Sequence, residues 1–160
     1  MIMVFRCCII WAVTVLLPVI MKLRYRFRKN KTSETNLSNK ELAEIVVTSM
    51  DKRDFTLYEK HVAGDAVLDF PGAEPVKGCR RIIIFLKAVL RKYPELKFII
   101  ENIIVDKERA FVVWSNKGKH KNGEPYTNRG ITLVEIKAGQ IVLSSDYFKD
   151  TSFLERTQPL

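Results

Sequence analysis

Between Lys40 and Lys52 the apolar side chains Leu42, Ile45, Val46 and Met50 recur at the three-and-four spacing of one helical face. Ser38 precedes this run and Glu41 follows three residues later, the signature of a capping box. A second short helix is predicted over 54–61. Residues 66–70 then read as a strand stopped by Pro71-Gly72. Ile82, Phe85, Leu86, Val89 and Leu90 mark the face of a third helix, closed at Tyr93-Pro94. After Glu95 the period changes. Four β-rich runs, 96–105, 109–119, 126–137 and 140–148, are separated by Asp-Lys-Glu, Lys-Asn-Gly-Glu and Ala-Gly, the marks of hairpin turns. Helices followed by a long meander predict an α+β domain. Its curved antiparallel sheet should wrap around the N-terminal helices, leaving a cone with a helical floor and a sheet wall.

The first 22 residues follow a different pattern. From Cys7 to Met21 nothing is charged, and counting back to Met1 only Arg6 interrupts the apolar run. About 20 such residues suffice for a helix to cross a bilayer. A cleaved signal peptide is the competing reading, but Val19-Ile20-Met21 and the basic stretch after it do not resemble a cleavage site. We therefore expect a single transmembrane anchor over 1–22 and a basic and polar linker over 23–37. The domain should follow over 38–154, with a short tail over 155–160.

Charge sharpens that division. The formal charge of +9 would suit a nucleic-acid binder if it were spread over the domain. Instead seven basic residues and no acid lie within residues 1–31, and the remaining 20 basic side chains face all 18 acidic ones. No nucleic-acid partner is expected. Six Lys/Arg follow the apolar run closely, so the positive-inside tendency places the domain on the cytoplasmic side. Asn36-Leu37-Ser38 matches a glycosylation sequon that this topology would leave unmodified. Cys7 and Cys8 fall in the anchor and Cys79 stands alone in the domain, so no intradomain disulfide can form.

Five segments carry a resemblance. They are Gly-Asp-Ala-Val-Leu-Asp-Phe-Pro-Gly (64–72), Lys-Gly-Cys-Arg-Arg heading the third helix (77–81), Phe-Val-Val-Trp (111–114), Gly-Lys-His-Lys-Asn-Gly-Glu (118–124), and Gly-Gln-Ile-Val ending in Asp-Tyr-Phe (139–148). In this order and spacing they resemble the SnoaL-like branch of the nuclear transport factor two-like, or ketosteroid isomerase-like, superfamily. The resemblance implies its cone-shaped fold and, through the convex face of the sheet, a homodimer. It does not settle chemistry, because the fold hosts cyclases, isomerases, dehydratases, epoxide hydrolases and binding modules.

In SnoaL-like enzymes a carboxylate on the last strand moves a proton beside a carbonyl. Asp146 matches that position, and Asp150 is near enough that a small slip would exchange them. Val142, Ser144, Asp146 and Phe148 share one strand face, and an apolar wall would raise a carboxyl toward a working general base. Otherwise Asp146 is a partly solvated strand-end charge. Trp114 and Asn116 share a face and could line the cavity, by stacking and hydrogen bonding, or serve the core. His120 could donate to a ligand or sit solvated beside the Asn-Gly turn. Asp69 could oppose Asp146 or remain at a wet strand edge; Tyr58 and His61 could floor the cavity or pack helices.

Departures from the branches narrow the field. The epoxide-hydrolase Arg and Asp are replaced by Ser115 and Lys117, the dehydratase's histidine pair finds no match in His61 and His120, and the first helix lacks the isomerase tyrosine. No metal ligands, phosphate-binding loop or activated nucleophile are recognisable, so no metal or cofactor is expected. Two functions remain: a membrane-tethered domain taking a small apolar carbonyl compound, with or without isomerase- or cyclase-type chemistry, and a non-catalytic association module.

Overall fold

The computed structural model describes residues 37–149. The expected anchor, most of the linker, Asp150 and the tail lie outside the described residues. Among the described residues no helix is long and apolar enough to cross a membrane.

Helix α1 spans Asn39–Lys52. Its capping box forms as expected: the Glu41 amide donates to Ser38 Oγ, and the Ser38 amide donates to Glu41 Oε2 at 2.7 Å. These bonds use amides that the first helical turn leaves unpaired. Arg53 ends α1 in the left-handed conformation (φ 56°). Its guanidinium donates to the carbonyls of Leu90, Tyr93 and Pro94, tying α1 to the end of a later helix. Helix α2 is short, Thr56–His61, and its start is held by Asp54 Oδ1, which accepts from the Thr56 amide and hydroxyl. Strand β1 (Val62–Asp69), a two-residue strand β2 (Val76–Lys77) and helix α3 (Cys79–Lys92) follow. The meander is β3 (Lys97–Asp106), β4 (Arg109–Lys119), β5 (Pro125–Lys137) and β6 (Gln140–Phe148).

The sheet order is β2-β1-β6-β5-β4-β3. One expectation needs correction: the sheet is mixed, not antiparallel throughout. β6 lies parallel to β1, with Leu68 opposite Ser144 and Asp69 opposite Ser145. The long connection through β2, α3 and the three strands β3–β5 permits this parallel return, which a tight turn could not. Strand β1 also begins four residues earlier than the pattern suggested, and β2 was not foreseen.

Curvature has a local cause. The ladder shifts register between Ile100 and Asn102, between Glu135 and Ile136, and between Val62 and Val67. Such bulges bend a strand and increase its twist. The sheet closes around the apolar faces of α1 and α3, burying Leu42, Val46, Ile82, Leu86, Val112 and Val134 together. On the opposite face Ile99, Ile104, Phe111, Ile131 and Tyr147 stay exposed.

Candidate ligand cavity and its carboxylate

Alternation along β4 and β5 decides what faces the helices. Val112, Trp114 and Asn116 on β4, with Asn128, Thr132 and Val134 on β5, are all turned inward and buried. The register then sets three inward cross-strand rows: Val112–Thr132–Asp146, Trp114–Gly130–Phe148, and Asn116–Asn128. The helices do not fill the space above these rows. A cavity remains, lined among others by Met50, Tyr58, Leu86, Trp114, Asn116 and Asp146. The cavity measures about 60 Å³, within about 670 Å³ of empty space that includes open solvent.

Asp146 sits in this wall within a short hydrogen-bond chain. Trp114 Nε1 donates to Thr132 Oγ1 at 2.9 Å, and the Thr132 hydroxyl donates to Asp146 Oδ1 at 2.5 Å. The threonine oxygen can do both because a hydroxyl has one proton and two lone pairs. Gly130 makes the first link possible. A Cβ there would stand 2.6 Å from the Trp114 ring and 2.5 Å from the Tyr147 carbonyl, so only glycine lets the indole lie across β5. Phe98 and Phe148 meet the same ring edge-on, each with centroids 5.6 Å away.

The electrostatics follow from that enclosure. Burial pushes the Asp146 carboxyl up to about 6, against the opposing pull of the Thr132 hydrogen bond and with a smaller upward push from Asp69. Asp146 keeps some exposure toward the cavity, but little water reaches it. Tyr58 is almost wholly buried, and desolvation raises its phenol above the ordinary range, with the nearby Asp146 charge adding to the rise. Ser144 acts in the opposite sense on Tyr58. That contact falls short of hydrogen-bond geometry, since Ser144 Oγ and Asn116 Oδ1 are, among the described residues, the buried side-chain oxygens without a partner.

The structure thus brings four candidates, Asp146, Trp114, Asn116 and Tyr58, into one cavity wall. Two others sit elsewhere. His120 belongs to the β4–β5 turn, where its Nδ1 accepts from the Asn122 amide and its ring meets Tyr93 edge-on at 5.3 Å. It backs a wall residue rather than lining the wall. Asp69 is exposed and pairs in register with Ser145, whose hydroxyl donates to it at 2.9 Å; it does not oppose Asp146. The parallel β1–β6 pairing, invisible in the pattern, is the reason. Thr132 was missed. Counting back from the Ala138-Gly139 turn would not have found it: straight pairing sets Thr132 opposite Ser145, and only the register shift between Glu135 and Ile136 brings it opposite Asp146. Among the described residues no group of three or more His, Cys, Asp or Glu side chains could hold a metal.

A bent sheet closing over helices around a polar-based apolar cavity defines the cone-shaped, ketosteroid isomerase-like class. Within that class the chain belongs to the SnoaL-like domain family, whose profile matches residues 44–144. No curated protein matches the sequence. Solved structures similar to it include a SnoaL-like polyketide cyclase candidate from Jannaschia sp. CCS1, 15% identical over 81% of this chain and 98% of that one, with a TM-score of 0.68. An NTF2-like protein of unknown function from Burkholderia pseudomallei is 21% identical over 75% and 97% of the two chains, with a TM-score of 0.66. A protein with a ketosteroid isomerase-like fold from Catenulispora acidiphila, crystallised with trimethylamine, is 12% identical over 69% and 86%, with a TM-score of 0.62.

Proposed function

We propose that this domain binds a small apolar carbonyl compound in its cavity, with Asp146 as the proton acceptor beside the carbonyl. One observation carries the reading: a carboxylate desolvated by an apolar wall, yet held in one orientation by Thr132 and, through it, by Trp114. A base whose proton affinity is raised toward neutral pH can take a proton from carbon and return it, the step isomerases and cyclases share. Tyr58, neutral and buried nearby, is the group suited to donate to the developing oxyanion. Its place on α2, not on the first helix, makes it a different solution from the isomerase tyrosine.

At about 60 Å³ the cavity is well below the ~300–1,000 Å³ of ordinary ligand pockets. Wall side chains must therefore move apart to admit a ligand. The test is exchange of α-protons in deuterated water, followed by NMR on a panel of apolar ketones, with parent and Asp146→Asn compared. Exchange that depends on Asp146 supports the reading. Binding without exchange leaves a carrier, and identical behaviour of the two proteins removes Asp146 from the site.

The exposed apolar face favours a second reading, an association module. Ile104, Phe111, Ile131 and Tyr147 are more apolar surface than a sheet normally shows to water. We place a second copy of the chain there, and the two readings are compatible. The apolar run of residues 1–22 and its basic flank support a membrane anchor with the domain on the cytoplasmic side. Carbonate extraction and protease protection of sealed vesicles test it; a shortened soluble product or glycan on Asn36 would refute it.

A further inference from the structure

The cavity has a second polar place that the Asp146 chemistry does not use. Asn116 is only 8% exposed, lines the cavity, and its Oδ1 has no hydrogen-bond partner. A buried carboxamide left in that state costs stability, so a residue kept for folding alone would be apolar here. Its neighbour Asn128 shows the contrast. The Asn128 Nδ2 donates to the Tyr126 hydroxyl at 3.0 Å and its Oδ1 accepts from the Arg129 amide at 2.8 Å.

Register fixes how far Asn116 is from the carboxylate. The row of Asp146 meets β4 at Val112, and Asn116 lies four residues further along the same strand. At ~3.3 Å per residue the two rows are about 13 Å apart. The row between them is apolar, carrying Trp114 and Phe148 on either side of Gly130, and Phe98 packs on the Trp114 ring from β3. The hollow therefore has two polar poles and an apolar waist.

We infer that the ligand is an elongated, rigid apolar molecule with a carbonyl at the Asp146 pole and a hydroxyl at the other end, held by the Asn116 carboxamide. A hydroxyl suits the amide because it can both donate and accept, whichever way the amide is turned. This rests on the cavity being a ligand site, as proposed above, and adds which class of molecule it takes. It also gives Asn116 a role in specificity: the site would discriminate against an analogue lacking the hydroxyl by leaving its own buried group unpaired.

The test uses para-acetylbiphenyl and its counterpart with a hydroxyl at the far para position, titrated calorimetrically into the full-length chain in one detergent. The hydroxylated probe should bind about tenfold tighter, the difference expected from one buried hydrogen bond. In Asn116→Leu that preference should fall below about twofold, while the melting temperature stays level or rises. A melting temperature lowered by several degrees would show the amide to be structural and overturn the inference. Equal binding of the two probes by the parent also overturns it, leaving the cavity reading standing. A preference kept in Asn116→Leu but lost in Asp146→Asn puts the hydroxyl on the carboxylate instead, again refuting the Asn116 pole. If neither probe binds, both readings fall.

Discussion

Thr132 stands directly across the β5–β6 ladder from Asp146, and its hydroxyl is 2.5 Å from the carboxylate. The same oxygen takes the indole proton of Trp114. One side chain thus decides both the orientation of the acid and the seat of the largest ring in the cavity. It does so from a row in which Val112 supplies only volume.

Thr132→Val keeps the shape and removes the hydroxyl. Because that hydrogen bond pulls the Asp146 proton affinity down, its loss should move the carboxyl upward from about 6. Carbon-detected NMR of the Asp146 side chain reads the change. The orphaned Trp114 N–H adds a destabilisation of about 1–3 kcal/mol in chemical unfolding. An unchanged titration would mean that the bond is not formed in solution.

Asp146→Asn should reshape stability against pH. The folded carboxyl titrates near 6 against an ordinary value of 3.8, so the folded chain holds that proton more tightly than the unfolded one. The stabilisation is complete below about pH 4 and is lost as pH rises through about 6. Without the carboxylate that slope should vanish. Above pH 6 the variant should then gain up to roughly 3 kcal/mol. Denaturant melts at a series of pH values check the direction; parallel curves for the two proteins would refute a buried Asp146.

Gly130→Ala tests the seat of Trp114. The new Cβ meets the Tyr147 carbonyl at 2.5 Å and the Trp114 ring at 2.6 Å, and backbone yields less readily than a side chain. A loss of about 1–3 kcal/mol is expected, together with a changed Trp114 emission in a Trp11→Phe background. Normal stability would mean that the indole does not lie across β5.

The exposed face of the sheet makes a prediction about assembly. Full-length parent should behave as a dimer by light scattering corrected for detergent. Ile104→Glu combined with Ile131→Lys should give a monomer without unfolding, since both side chains are already exposed, at 54% and 40%. A parent that is monomeric at micromolar concentration would remove this surface as a self-association site.

The sequence by itself determined the three helices and four long strands, because each writes its period in neighbouring residues: Leu42, Ile45 and Val46 for α1, Val112, Trp114 and Asn116 for β4. Turn chemistry at Lys107, Gly123 and Ala138-Gly139 made the hairpins legible in the same local way. It also singled out Asp146, Trp114 and Asn116, since strand alternation predicts which side chains share a face, and Tyr58, which the short helix offered with His61 as a cavity floor. Tertiary structure decided the rest. The parallel pairing of β1 with β6 brings together residues 76 positions apart, Asp69 and Ser145, and takes Asp69 out of the site. The packing of the 92–97 segment beside Gly118, where any Cβ would strike Leu96, brought Tyr93 against His120 and left the histidine behind the wall. Whether Asp146 is desolvated, and whether Asn116 lacks a partner, depends on how completely helices from far along the chain cover the sheet. No local period encodes that coverage, because burial is a property of distant contacts rather than of neighbours.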